Sequence, residues 1–430
     1  MKQLCRLVFH FVVIAVLLPG CGKRDEQVEG KVTITFWHSF VSSTIPSLKE
    51  LISEFEKEHP QIRIKAQYVP TGDGLIQKLV TAVQSNTAPD VSWVHSDFLD
   101  KLVEADAIFP MKEFIDGENG MTPEEITDIF PALLESGKWR GKLYAMPMEA
   151  TSLALLYNKE HFRKAGLDPN KPPTTWDELL ATAQKATVRD ATGKTITWGL
   201  TIPDDIWLVM SFILQNGGRT SSPDFKKVYL GEKPAVEAVQ FWADMANKHK
   251  VMPRHRTFPI SVQDFVAGNT AMLIHSTGNL RFVRDSAKFE WGTAFLPKNK
   301  RQAVAIGGAG FYIFKKASKE KQEAAWQFAK FATSPEIQAR WNIGSGYIAT
   351  RKSSFDLPLM KEYTGRLPQA LVARDQLPYA LPEMSTHDNW KMRNIFVTTF
   401  QEILDEKYTP EEGMKKAQAE IEKVLAPYQK

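Results

Sequence analysis

The 430-residue chain has two cysteines, Cys5 and Cys21, and the first lies inside a stretch that reads as a removable leader. Without that stretch one thiol remains, so no internal disulfide can form. An excess of either charge is also missing: Lys and Arg number 54 against 50 Asp and Glu. Loss of residues 1–20, which carry Lys2, Arg6 and no acid, takes the formal charge from +4 to +2. A balance so near neutral excludes the basic footprint of a nucleic-acid-binding protein. The strings HExxH, GxSxG, CxxC and GxxxxGK do not occur, which leaves zincin, nucleophile-elbow, dithiol and P-loop chemistry without an anchor. Ser318 to Lys321 fits SxxK, but the companion SDN and KTG strings are absent and the match reads as chance. The nine histidines are scattered, no two share a helical face, and neither a metal site nor a cofactor is expected. A pair of carboxylates brought together by folding, as in glycosidases, stays open.

Long apolar runs are confined to the N-terminus. Lys2 and Arg6 precede a mostly apolar run from Leu7 to Leu18, which has the order of an export signal and is too short to span a bilayer. The run ends in Pro19-Gly20-Cys21, which resembles the lipobox of bacterial lipoproteins. That resemblance implies acylation of Cys21 and a lipid anchor at the membrane, periplasmic or on the outer cell face. Ordinary cleavage leaving an unmodified Cys21 is the alternative. Residues 21–30 are charged and polar and read as a tether. The 410 residues that follow the leader exceed one usual domain, so two soluble lobes are expected.

Along those residues, strand and helix patterns alternate. VTITF (32–36), IRIKAQYV (62–69) and a short run at 91–94 read as strands, with helices over 47–60 and 75–84. LALLYN (153–158) and TAMLIH (270–275) are further strands, and helices are predicted over 176–187, 236–248, 321–333 and 410–425. Gly307-Gly308 reads as a turn before the strand FYIF (311–314). Alternation of this kind predicts an α/β protein whose sheets are mainly parallel and covered by helices. Ligands then lie beyond the carboxyl ends of the strands.

Several residues are suited to holding a small polar molecule. Ser276-Thr277-Gly278-Asn279 follows the TAMLIH strand and opens a helix-like segment, 280–289. Its backbone N–H groups suit an anion or hydroxyls, although plain N-capping by Ser276 or Thr277 accounts for the same pattern. Gly307-Gly308 would let backbone approach a ligand closely, although a tight turn explains the pair as easily. Arg393, among Trp390, Met392 and Phe396, offers a planar fork of donors matched to phosphate or carboxylate. Trp93, Trp207 and Tyr347 can supply flat apolar faces to a polyol or sugar, with core packing as the alternative use.

The segment KLYAMPMEATSLALLYNKEHFRKAGLDPNKPPTTWDEL (142–179) resembles the signature region of family-one extracellular solute-binding proteins, which include the maltose-binding and glycerol-3-phosphate-binding types. FWHSF (36–40), NTAPDVSWV (86–94), FVAGNTAMLIHSTGNL (265–280), AIGGAGFYIF (305–314) and FAKFATSPEIQARWNIGSGYIATRKSSF (328–355) keep the family order. The resemblance implies two lobes of the periplasmic-binding-protein type closing over a solute. It implies three hinge crossings, near Glu149 to Ser152, near His275 and near Ser334. One lobe would comprise 31–148 plus 275–333, the other 153–272 plus 336–430.

Within the family the glycerol-3-phosphate branch is the most similar. Its phosphate side is matched by Ser276, Gly308, Tyr347 and Arg393, Thr151 stands for a serine, and Trp207 lies near the cleft tryptophans. The glycerol side departs, with Leu75 and Ser96 in place of a tyrosine and a glutamate. The resemblance thus implies a monomeric, non-catalytic binding protein for a sugar, polyol or phosphorylated polyol, delivering it to the permease subunits of an ABC importer. A ligand-presenting sensor, or a secreted carbohydrate-active enzyme on similar lobes, is the alternative.

Overall fold

The computed structural model describes residues 30–40, 44–70 and 72–429. The leader, Cys21 and all of the expected tether except Gly30 lie outside the described residues. Nine strands frame the fold: β1 (Val32–His38), β2 (Ile62–Tyr68), β3 (Val91–His95), β4 (Met146–Thr151), β5 (Leu153–Asn158), β6 (Met272–Ser276), β7 (Trp291–Ala294), β8 (Val304–Ile313) and β9 (Ala380–Pro382). Among the described residues no helix is long and apolar enough to cross a membrane.

The first sheet has the order β9-β8-β3-β1-β2, with β4 paired to the other edge of β8. β1 runs parallel to β2 and β3, while β8 is antiparallel to β3 and β4. Alternation places Ile34 and Phe36 of β1 in the core, as expected for a half-buried strand. Helix Ile45–Glu58 covers that core through Leu48, Leu51 and Phe55, and it begins with Pro46, where a missing N–H costs nothing. The second sheet, β6-β5-β7, is antiparallel throughout, which corrects the expectation of a mainly parallel sheet in each lobe. β5 leaves the first sheet in the opposite sense to β6 and β7 and lies between them. Parallel contacts in this lobe lie outside those pairings, as isolated bridges of Trp198 with Thr270, Thr201 with Leu273 and Thr175 with Lys298 and as the β8–β9 pairing at Val304 and Ala305.

Gly307 and Gly308 are not a turn. β8 continues through them for ten residues, from Val304 to Ile313, because neighbouring groups leave no room there for side chains.

Two large cores alternate along the chain. The first holds residues up to Ala150 and again Ile306 to Leu377; the second holds Leu153 to Ala305 and Met384 to Leu425. The expected crossings near His275 and Ser334 do not coincide with these changes. β6 and β7 both pair with β5, so 272–305 stays with the second core. Helix Pro335–Ser345 instead packs Trp341 on Phe40 of the first core, with ring centroids 4.9 Å apart. The lobes also meet away from the crossings. Lys101 forms an ion pair with Asp388, Asp388 N–H donates to Asp100 Oδ2 at 3.1 Å, and Trp139 stacks on Phe225 with centroids 4.2 Å apart.

Candidate functional site

The ends of β4 and β6 bring Thr151 and Ser276 together, their hydroxyl oxygens 2.6 Å apart. Thr277 Oγ1 lies 3.3 Å from Thr151 Oγ1 and accepts from Ser152 N–H at 3.1 Å. Gly278 N–H donates to Ser276 Oγ (3.2 Å) and Thr151 Oγ1 (3.3 Å). The N–H at 278 is therefore taken by capping hydroxyls rather than left for an anion. Tyr347 closes over this turn: a Cβ on Gly278 would lie 3.3 Å from its Cζ. Gly346, at φ +88°, ends the preceding helix in the left-handed region and turns the chain into Tyr347.

In β8, Gly307 stands opposite Thr151 and Gly308 opposite Ala150. A Cβ on Gly307 would come to 3.1 Å from Thr151 Cγ2, Trp207 Cζ2 and Glu383 Oε1 alike. Gly307 is thus the point where both lobes converge on Thr151. Gly308 instead faces the Glu149 carbonyl, 2.7 Å from its would-be Cβ, and its own carbonyl accepts a long hydrogen bond from Ser96 Oγ at 3.5 Å. Ser96 and Gly308 line an interlobe cavity of about 560 Å³ that also takes in Trp139, Arg301 and Glu383.

Trp207 is 7 % exposed, donates its indole N–H to Ala305 O at 2.9 Å and lies nearly parallel to Phe258. It presents an edge, not a free stacking face. Asp205 caps its helix by accepting Trp207 N–H at 2.8 Å. Arg393, on helix Asn389–Leu404, has a side chain 21 % exposed and is flanked by two carboxylates, Asp205 Oδ2 at 4.0 Å and Glu383 Oε2 at 3.9 Å. His275 is buried beside Ser276, and burial pushes its ring down to about 4, so it is neutral at ordinary pH. Its Nε2 lies 3.1 Å from Phe258 O.

The structure therefore gathers Thr151, Ser276, Tyr347 and Trp207 around Gly307, links Arg393 to them through Glu383 and Asp205, and sets Ser96 with Gly308 on the cavity side. Leu75 and Trp93 are core residues, and Trp93 packs on Phe40. Sequence reasoning missed Asp205 and Glu383. Only Asp205 had a local signal, an N-cap acid before an apolar run. Among the described residues no group of three His, Cys, Asp or Glu side chains is placed to hold a metal ion. Chemically the site offers hydroxyls and a guanidinium between carboxylates, the mixed donors and acceptors that suit a polyhydroxylated molecule.

Two lobes on alternating cores, with polar groups converging where the chain passes between them, define a solute-binding protein. The family model described as bacterial extracellular solute-binding protein matches residues 50–368, and the chain belongs to that family. It is similar to the sn-glycerol-3-phosphate-binding periplasmic protein UgpB of Yersinia pestis, with 27 % identity over 354 residues and 80 % of each chain covered. Among solved structures, UgpB from Mycobacterium tuberculosis in complex with glycerophosphocholine superposes with TM-score 0.79 at 23 % identity, covering 93 % of this chain and 100 % of the other. The cyclic α-maltosyl-1,6-maltose binding protein from Arthrobacter globiformis does so with TM-score 0.79 at 22 % identity, covering 92 % and 99 %. These likenesses show the fold.

Proposed function

We propose that this protein is the solute-capturing component of an ABC importer, exported and anchored through Cys21, and that its solute is a neutral sugar or polyol bound around Gly307. The observation that carries the choice of a neutral solute is the surroundings of Arg393. One guanidinium faces two carboxylates, at 4.0 and 3.9 Å, so these three groups together carry a negative charge. A phosphate reaching for Arg393 would have to share it with those carboxylates, whereas solute hydroxyls find both donors and acceptors. The capping of Gly278 N–H by Ser276 and Thr151 supports the same reading.

Relatives called sn-glycerol-3-phosphate-binding favour a second reading, a phosphorylated polyol. Native mass spectrometry of gently purified protein, followed by calorimetry with the released solute, tests both. A neutral carbohydrate or polyol is expected. A co-purified phosphate ester of micromolar or tighter affinity would overturn the neutral reading.

A further inference from the structure

The side chain of Glu149 lies two residues before Thr151 at the end of β4, where the chain leaves the first core for the second. It is 3 % exposed. Its backbone is held against β8: Glu149 pairs with Ala309, and its carbonyl occupies the space that a side chain on Gly308 would need. The indole N–H groups of Trp341 and Trp93 are directed at the carboxyl and draw it down, but burial dominates and pushes it up to about 8. Neither indole completes a hydrogen bond: Glu149 Oε2, Trp93 Nε1 and Trp341 Nε1 have no partner among the described residues. An acidic oxygen left this way tolerates a proton far better than a charge.

Among the described residues, no cation faces Glu149 from the elements packed around it. β8 brings Ala309 and Gly310, helix Pro335–Ser345 brings Trp341, and β3 brings Trp93 with His95 beyond it, His95 Nδ1 lying 3.4 Å from Gly308 O. The titratable group it faces most directly is Tyr347, whose hydroxyl is pushed up by burial and by the nearness of Glu149. Glu149 therefore touches both halves of the site, through β4 to Thr151 and through space to Tyr347.

We propose that Glu149 is a positioning residue for the solute site and that it performs this role only as the neutral acid. With its proton, the carboxyl stays between the two indoles and holds the end of β4 and Tyr347 in register. Without it, an uncompensated charge seeks water and pulls the Glu149–Thr151 segment away from Gly307 and Ser276. Solute affinity should then fall as pH rises past the point where Glu149 ionises, with no change in the solute itself. The inference rests on the proposed reading of the Gly307 region as the solute site.

The test uses the full chain and its Glu149→Gln variant, since glutamine copies the neutral acid. Maltose, sorbitol and glycerol 3-phosphate are titrated at pH 7 and pH 9.5, and tryptophan emission of the solute-free protein is followed between pH 6 and 10. For whichever probe binds, wild-type affinity should drop about tenfold or more over that interval, while Glu149→Gln keeps the pH 7 affinity at both. Wild-type emission should show a step near pH 8 that the variant lacks. An equal alkaline loss in the variant, or loss of its affinity at pH 7, overturns the proposal. If none of the three probes binds, the solute reading fails; the emission titration then still decides on Glu149, and a wild type without the step refutes its role whether or not the variant folds.

Discussion

Thr151 and Ser276 stand 125 positions apart in the sequence and share a hydroxyl–hydroxyl hydrogen bond of 2.6 Å. One bond thus ties the last residue of β4, a strand of the first sheet, to the last residue of β6, a strand of the second. Thr151→Val keeps the shape and removes the hydroxyl, leaving Ser276 and Gly278 N–H one acceptor short. The variant should lose about 1 kcal/mol of stability and about tenfold in solute affinity. Thermal melts and calorimetry with the co-purified solute read the two losses separately. Full affinity in Thr151→Val would place the solute elsewhere.

The balance of charge at Arg393 makes Glu383 the residue to change. Glu383→Gln removes one of the two carboxylates named beside the guanidinium, so an anionic solute meets less negative charge there. Binding of glycerol 3-phosphate should strengthen by about tenfold, roughly 1.4 kcal/mol, with a smaller change for a neutral solute. Arg393→Ala should weaken neutral-solute binding by about 1 to 2 kcal/mol through lost donors. Calorimetry on the two variants with both solute classes checks the pair. Weaker glycerol 3-phosphate binding in Glu383→Gln would contradict the charge argument.

Asp100 ties the lobes away from the solute, and burial pushes its carboxyl up to about 7 against the pull of Lys101. An acid whose folded-state value is raised holds a proton in the folded state that the unfolded chain has already released. Its contribution to stability is therefore greatest below the ordinary Asp range and is lost progressively as pH rises to about 7. Asp100→Asn keeps an acceptor for Asp388 N–H and removes the titration. The stability difference, variant minus wild type, should grow between pH 4 and pH 7 and level off above, reaching roughly 2 to 4 kcal/mol. Denaturant unfolding at unit pH steps measures it, and a difference that does not change with pH would rule out the buried acid.

Anchoring through Cys21 predicts that Cys21→Ser is released from membranes into the soluble fraction while wild-type protein carries a lipid adduct on its first residue. Fractionation and intact-mass measurement check it. A membrane-bound Cys21→Ser protein beside an unmodified wild type would refute the anchor.

How much of this was legible in the sequence depended on periodicity. β1, β2 and β3 carry β-branched residues and β5 is a nearly continuous apolar run, and each lies within a residue or two of its expected place. Helix Ile206–Gln215 was invisible because all ten of its residues are buried, leaving no polar face and no 3.6-residue period. β8 was read as a turn followed by a short strand because Gly307, Gly308 and Gly310 carry turn chemistry. Their real cause is crowding: Cβ atoms would come to 3.1, 2.7 and 2.8 Å from neighbouring atoms. Thr151 was found through family resemblance alone, whereas Ser276, Tyr347 and Arg393 were also singled out by their local chemistry. Glu383 and Asp205 join them only by folding, 178 positions apart, and single carboxylates at such a separation leave no pattern to read.

The alternation of the two cores has a consequence for how the chain is made. Synthesis delivers β1 to β4 early, yet β8, the strand to which both β3 and β4 pair, is complete only at residue 313, and the first core closes only near Leu377. Pairings between such distant segments form slowly and cannot begin on a partly made chain. Neither core is complete until most of the chain exists. A strand order of this kind would suit the proposed export, because a chain without finished lobes can thread a narrow channel and complete its tertiary structure on the far side.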